Sequence, residues 1–401
     1  MDPLTGKKIL LLIGGSIAAY KTPELIRLLR AAGAELRVAL SPHASDFVAP
    51  LALQAVSGHA ARQSLFSPAE EAAMDHIALA RWADALLYAP VSAAGLARLA
   101  QGLAEDLPGA IVLASRAPLF LAPAMNTAMW EHPATQRNLR QLAADGAQIL
   151  EPGSGSLACG ETGSGRLMEL EQIVDRLRLA LAPHPWLGWR VLVTAGPTWE
   201  AWDPVRGLSN RASGRQGYAL AQAAAERGAR VTLVSGPTCL PCPTGVERIA
   251  VTSAQEMLQV CQGLVQRENI DLLIANAAVA DHRPATILTH KQPKQELPAQ
   301  LALAANPDIV KTLHEDPQAP RRILAFAAET HADEERAVAK LRAKGADFAA
   351  LNDLRGGAMG TEENAIVLVS PRQRWVLPRQ PKLDLARALL HHLDSEIGES
   401  D

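Results

Sequence analysis

Apolar residues fall in short runs separated by longer polar stretches, and the runs carry the first reading of the fold. Lys8–Ile13 is Lys-Ile-Leu-Leu-Leu-Ile, without alternation, as expected of a parallel strand buried on both faces. Gly14-Gly15-Ser16 follows as a tight turn. Thr22-Pro23-Glu24 then predicts a helix start, with Thr22 as N-cap and Pro23 at the first position. Leu25, Ile26, Leu28 and Leu29 form its apolar stripe, Gly33 ends it, and Leu36–Leu40 reads as the next strand. Ala85–Tyr88, Ile111–Ala114 and Leu119–Leu121 are read as further strands. After Pro183-His184-Pro185 the opening pattern recurs. Arg190–Thr194 is a strand, Ala195-Gly196-Pro197 a turn, Gly217–Arg227 a helix, Gly228 its stop and Arg230–Val234 a strand, with Leu272–Asn276 a later one. The pattern predicts an α/β protein of two doubly wound, Rossmann-like domains, spanning 1–186 and 187–401.

Composition narrows the class without changing that picture. The chain has 401 residues, 48% of them hydrophobic, and a formal charge of −3. No basic face stands out, so nucleic acid is not an expected partner. Four cysteines with no regular framework suit a reducing cytosol, and the expected location is cytoplasmic. The opening Lys7-Lys8 and its apolar run mimic a signal peptide, but Gly14-Gly15 interrupts the run and no cleavage site follows. No apolar stretch is long enough to span a bilayer, so no membrane partner is expected.

In open parallel sheets, ligands bind beyond the carboxyl ends of the strands. The residues there are Ser16, Ser41, Ser92 and Pro123-Ala124-Met125-Asn126. The first turn lacks the GxGxxG fingerprint, yet a Gly-rich turn feeding a helix still suits a phosphate. Asn126 can offer its amide to a carboxylate or a flavin ring, or can simply shape a turn. His76 on its own reads more readily as a structural histidine than as a catalytic one. Cys159 lies in the glycine-rich stretch from Gly153 to Arg166, where a thiol on a movable loop can serve as acid, nucleophile or metal ligand. In the second half, a long polar insert from Thr198 to Gly214 carries Arg206 and Asn210, and Asp281 follows a strand end. Cys239-Leu240-Pro241-Cys242 has CxxC spacing but no second pair, and reads as a surface loop. Lys291, Lys294, Lys340 and Lys344 are cations that can meet phosphates or solvent.

Taken together, these segments resemble known families. Gly14-Gly-Ser-Ile-Ala-Ala-Tyr-Lys21, His76, Pro123–Asn126, Ala158-Cys159-Gly160 and Gly165-Arg166 resemble the flavin-dependent phosphopantothenoylcysteine decarboxylases. Thr194–Thr198, Asp203–Arg206, Ser209-Asn210, Ala277–Asp281, Asn306–Val310 and Phe326–Thr330 resemble phosphopantothenate–cysteine ligase. Their order resembles the bacterial fused enzymes of coenzyme A synthesis, over nearly the whole chain.

The resemblance implies a flavodoxin-like FMN domain followed by a ligase domain. It implies that 4′-phosphopantothenate is activated by CTP to an acyl-cytidylate, with Mg²⁺ at Asp281, and that cysteine displaces CMP. By match, Asn276, Ala277, Asp281, Lys291, Asn306, Pro307, Asp308, Ile309, Phe326, Lys340 and Lys344 bind the nucleotide, and Asn210 and Arg206 hold the acyl intermediate. Gly14, Gly15, Ser16, Ser41, Ser92 and Met125 match the FMN site; His76, Asn126 and Cys159 match the decarboxylase residues, Cys159 as proton donor. The family also implies homo-oligomers, trimeric through the flavin domain and dimeric through the ligase domain. Four positions depart from the pattern: Ala94 and Glu105 in the flavin half, Ala212 and Pro293 in the ligase half. Two other classes fit parts of the chain. A flavoprotein binding module with decayed catalysis predicts loss of His76 or Cys159, and both are present. A prenyltransferase-like relative leaves the second half unexplained.

Overall fold

The computed structural model describes residues 2–65, 75–158, 160–293, 300–329, 334–353 and 361–397. By Cα proximity the chain divides into two units, Asp2–Leu181 and Ala182–Asp401, apart from Met1.

In the first unit the apolar runs become β1 (Lys8–Ile13), β2 (Glu35–Leu40), β3 (Ala85–Val91), β4 (Leu119–Pro123) and β5 (Gln148–Ile149). They form one parallel sheet in the order β2-β1-β3-β4-β5. Strand β3 is buried along its whole length, and helices lie on the sheet so that Leu25, Ile26 and Leu29 pack into one core. Two local expectations give way here. Ile111–Ala114 is not a strand but the end of a helix, Leu107–Ala114. Asp106 caps that helix by accepting from Gly109 N at 2.9 Å, and Pro108 sits in its first turn. Thr22 is not the cap of its helix: Lys21 holds that position, and the Thr22 hydroxyl donates to Ala19 O at 2.7 Å. The glycine-rich stretch forms an antiparallel hairpin of β6 (Gly153–Ser156) and β7 (Thr162–Arg166).

The second unit repeats the opening unit of strand, helix and strand. β8 (Arg190–Ala195) leads through β9 (Trp199–Ala201) and β10 (Gly207–Ser209), a small hairpin made by the long insert, to a helix over Arg215–Glu226 and then β11 (Arg230–Ser235). Gly33 and Gly228 play the same part in the two units. Each sits at positive φ, 88° and 87°, and turns the chain from helix into strand. The sheet continues with β12 (Val246–Ala250), β13 (Leu272–Ala275), then β16 (Arg322–Glu329), β17 (Phe348–Asp353), β18 (Glu363–Val369) and β19 (Arg374–Pro381). β14 (His282–Pro284) and β15 (Leu303–Ala305) pair separately. The sheet order is β12-β11-β8-β13-β16-β17-β18-β19, parallel as far as β17 and antiparallel beyond. Cys261 is buried in its core among Leu273, Leu313 and Ile323, whereas Cys239 and Cys242 are exposed on a loop.

The segment Ala182–Trp186 belongs to the second unit. Trp186 is buried there, stacked on Trp189 with ring centroids 5.4 Å apart, and the Arg227 guanidinium lies 5.2 Å from its ring. Trp186 N donates to Arg227 O at 2.9 Å.

Candidate active sites

Each sheet reverses its strand order beside its first strand, and such a reversal leaves a crevice at the carboxyl edge. In the first unit a cavity of about 540 Å³ opens there, lined among others by Ser16, Met125, Asn126, Leu157, Ala158 and Arg166. Its size lies within the usual range for small-molecule sites.

The turn that leads into this site packs in close backbone approach, although Gly14 and Gly15 do not themselves line the cavity. A Cβ on Gly14 would lie 2.7 Å from Pro90 O, and one on Gly15 would lie 2.9 Å from His43 Cβ. Under Gly14 lies Tyr88, buried, with its Cε2 3.3 Å from that same Cβ position. Burial pushes the Tyr88 hydroxyl well above its usual pKa and Asp106 adds to the rise, against the opposing effect of Arg98 and Ser41. The hydroxyl therefore stays protonated and can donate. Asp106 Oδ2 is 3.2 Å from Arg98 Nη2, an ion pair without hydrogen-bond geometry. Ser41 thus belongs to the support beneath the turn, and Ser92 caps the helix Ala93–Ala100 by accepting from Gly95 N at 3.2 Å. Ala94 sits in the first turn of that helix, and Glu105 is exposed next to Asp106.

The wall opposite is the hairpin. Met125 N donates to Gly165 O at 2.9 Å, and the Asn126 side chain donates from Nδ2 to Glu161 Oε2 at 2.6 Å. Asn126 Oδ1 also accepts from Ala128 N at 2.8 Å, so one amide both caps a short helix and faces the site. Cys159 lies outside the described residues; its neighbours Leu157 and Ala158 line the cavity. His76 is half-buried in the first turn of the helix Asp75–Trp82 and is not among the lining residues.

Among the lining side chains to which the sequence reading gave no site role are Tyr20, Lys21 and Arg166. Lys21 forms no ion pair among the described residues, whereas Arg166 pairs with Glu169 at 3.0 Å. A cation one turn past a Gly-rich strand end was the available signal. The Ser16 hydroxyl, the Lys21 ammonium, the Gly165 backbone and apolar Ile17, Met125 and Leu167 line a site that fits a planar group carrying a phosphate.

Gly165 is where the hairpin closes. Its φ is +129°, and a Cβ there would fall on the Met125 carbonyl oxygen. Gly165→Ala should therefore cost the closed hairpin on the order of 2–3 kcal/mol. Limited proteolysis should cut between 153 and 166 at least tenfold faster in the variant. An unchanged cutting rate would show that the hairpin does not depend on this approach.

In the second unit a cavity of about 260 Å³ opens beside the ends of β8 and β13 and the middle of β16, at Thr194, Ala275 and Ala325. Ala277, Asp281, Asn306, Pro307, Asp308, Ile309, Phe326 and Lys344 all line it. Asn306 is locked in place: Nδ2 donates to Ala280 O at 2.8 Å, its backbone N to Asp281 O at 2.8 Å, and its Oδ1 accepts from Arg283 Nη1 at 3.2 Å. Lys344 Nζ pairs with Asp308 Oδ2 at 2.8 Å. Asn276 lies beside rather than within the cavity; its N donates to Thr194 O at 3.2 Å, and its Oδ1 would be 3.0 Å from a Cβ on Gly217. Lys291 and Lys340 are exposed and do not line it, and Lys294 lies outside the described residues.

The insert brings its own side chains to this edge. Asn210 Nδ2 donates to Ala278 O at 3.0 Å and to Val279 O at 3.2 Å. Arg206 binds Asp203 through Nε at 2.7 Å, lies 4.8 Å from the Trp202 ring, and reaches Gln292 O at 3.4 Å. Desolvation acts to raise the Asp203 pKa, but hydrogen bonds from the Arg206 side chain and from the backbone of Val205 and Arg206 win and hold it below the usual value. Ala212 follows in the same insert, and Pro293 stands next to Gln292. Among the described residues no cluster of three or more His, Cys, Asp or Glu side chains is set to hold a metal.

Comparison with known proteins gives the family of the chain. Residues 2–181 match the Flavoprotein family model, and residues 186–396 match the DNA/pantothenate metabolism flavoprotein C-terminal domain. The chain is 43% identical over 402 residues to the coenzyme A biosynthesis bifunctional protein CoaBC of Vibrio vulnificus strain YJ016, covering 99% of this chain and 100% of the relative. It is 44% identical over 404 residues to the protein of that name from Escherichia coli strain K12, covering 99% of each. The crystal structure of the C-terminal domain of a CoaBC protein is 36% identical and matches 54% of this chain and all of its own, with a TM-score of 0.46. The chain belongs to the family of the coenzyme A biosynthesis bifunctional proteins.

Proposed function

We propose that the chain performs two consecutive steps of coenzyme A biosynthesis, one in each unit. The Ala182–Asp401 unit joins cysteine to 4′-phosphopantothenate using CTP, and the Asp2–Leu181 unit decarboxylates the product to 4′-phosphopantetheine with FMN. The observation that carries the second step is Asn126, whose amide at the cavity wall already holds a carboxylate.

A free carboxylate is a poor acyl donor, so formation of an acyl-cytidylate supplies a leaving group. Asn306 is fixed by three hydrogen bonds and suits recognition of a base or ribose, while Lys344 offers its charge to a phosphate once Asp308 is drawn away. Asp281 and Asp308 are the carboxylates at this cavity, which suits Mg²⁺ carried in by the triphosphate, since Mg²⁺ needs only one or two protein carboxylates. Asn210 and Arg206 hold the acyl intermediate from the insert, and Lys291, two residues from Pro293, stands near Arg206 through Gln292.

Bound flavin supplies the reversible two-electron oxidation of the substrate thiol, which makes loss of the neighbouring carboxylate possible. Asn126 orients that carboxylate. Cys159 is assigned as the acid that returns a proton to carbon, a role that suits a thiol mostly protonated at neutral pH. His76 stands apart from the cavity of its own copy, and a site completed by a second copy, in a homo-oligomer of flavin units, gives it a place. No described helix is long and apolar enough to cross a membrane, and a cytoplasmic location belongs to the same reading.

The purified chain should be yellow, release pyrophosphate from CTP only with 4′-phosphopantothenate, and release CO₂ once cysteine is added. Absence of either release would sink the corresponding step. Mixing also tests the shared site. His76→Asn and Asn126→Asp chains, each inactive in CO₂ release, should recover roughly a quarter of full activity when unfolded and refolded together, since one copy supplies each residue. No recovery would place His76 and Asn126 in the same copy's site.

A further inference from the structure

Strand β7 and the residue just before it present every second position, 161, 163 and 165, to the segment Met125–Thr127. Gly165 closes on the Met125 carbonyl, Gly163 on Thr127, where a Cβ would lie 2.5 Å from Oγ1, and Glu161 on Asn126. Two of the three positions are glycine, which lets backbone meet backbone. The third is a carboxylate, and it takes the Asn126 amide at 2.6 Å. The amide proposed to receive the substrate's carboxylate thus receives one supplied by the protein.

We propose that Glu161 is a built-in competitor of the substrate carboxylate: it latches the hairpin to Asn126 in the free enzyme and must be displaced for a carboxylated ligand to bind. The inference rests on the decarboxylase reading above and adds to it a residue that sets specificity. The Asn126 amide carries two N–H donors on one nitrogen, and two carboxylates brought to that one nitrogen repel, so each weakens the other's hold. A ligand without the carboxylate leaves the latch undisturbed. The device therefore weakens substrate binding without weakening product binding, and it favours release of nothing but the carboxylated form. If the latch is engaged in about nine of ten free molecules, the apparent affinity for a carboxylated ligand is lowered about tenfold.

The test compares two thiol-free ligands on the flavin-loaded full chain: the substrate analogue with serine in place of cysteine, and its decarboxylated ethanolamine counterpart. Neither can undergo thiol oxidation, so binding is read without turnover from flavin fluorescence. Glu161→Ala should bind the carboxylated analogue about tenfold more tightly and the decarboxylated one unchanged within about twofold. Glu161→Gln, which keeps an acceptor but no charge, should fall between wild type and Glu161→Ala. Equal weakening of both ligands would mean that Glu161 only braces the hairpin, and that outcome overturns the proposal, as does no change or selective weakening of the carboxylated analogue. CO₂ release by the unmodified chain is measured alongside. Its absence overturns the decarboxylase reading, and the latch with it, whereas normal release with unaltered binding in the variants overturns the latch alone.

Discussion

Asn126→Asp is expected to lower CO₂ release about a thousandfold while leaving CTP-dependent pyrophosphate release on the same chain intact. The substitution is informative because it separates charge from fold. Asn126 Oδ1 caps the helix Thr127–Glu131 by accepting from Ala128 N, and an aspartate keeps that acceptor. What it loses is the donor that meets Glu161 Oε2 at 2.6 Å. In its place stands a second carboxylate, facing Glu161 and any carboxylate that enters. Two like charges about 4 Å apart near a protein surface repel by about 4 kcal/mol, or about a thousandfold. The sign of the pH dependence follows. Crowded carboxylates have a raised apparent pKa, so the pair sheds its repulsion on protonation, and the variant's deficit should narrow as pH falls. A near wild-type rate with flavin bound would remove Asn126 from the reacting end of the site.

The second large effect concerns where the ligase unit begins. A fragment starting at Ala182 should fold and release pyrophosphate from CTP. One starting at Leu187 should be less stable by about 3–5 kcal/mol, the usual cost of deleting a buried tryptophan. Trp186 is 2% exposed, stacked on Trp189, and covered by Arg227. Cutting after it uncovers Trp189 and takes from the Arg227 carbonyl the N–H that donates to it. Denaturant unfolding of the two fragments measures the difference, and equal midpoints with equal slopes would show that Trp186 contributes nothing.

The strands of the two opening units were legible because each is a short, mostly apolar run, and Gly33 and Gly228 punctuate them alike. Ile111–Ala114 shows the limit of that signal. An apolar run of four cannot be told from the buried half of a helix, and the deciding residues, Asp106 and Pro108, lie upstream of it. The hairpin was legible as a glycine-rich lid but not as paired strands, because its pairing is fixed by what Gly163 and Gly165 approach rather than by their own propensity. The same cause hid Glu161, whose role depends on a partner 35 residues away. At the second site the strand-end residues were legible as a motif, but three lysines that look equivalent in sequence are not. Lys344 faces the cavity, whereas Lys291 and Lys340 face solvent.

Cys261 gives the second unit a chemical clock. Desolvation pushes its thiol up to about 12, so at pH 8 only about one in ten thousand is thiolate, the form that alkylating reagents attack. Cys239 and Cys242 stand exposed on their loop and should take up label in the native protein. Slow labelling at Cys261 then counts the occasions on which the core around Leu273 and Ile323 comes apart. Mass spectra taken at intervals during alkylation would resolve rapid surface modification from rare exposure of the interior.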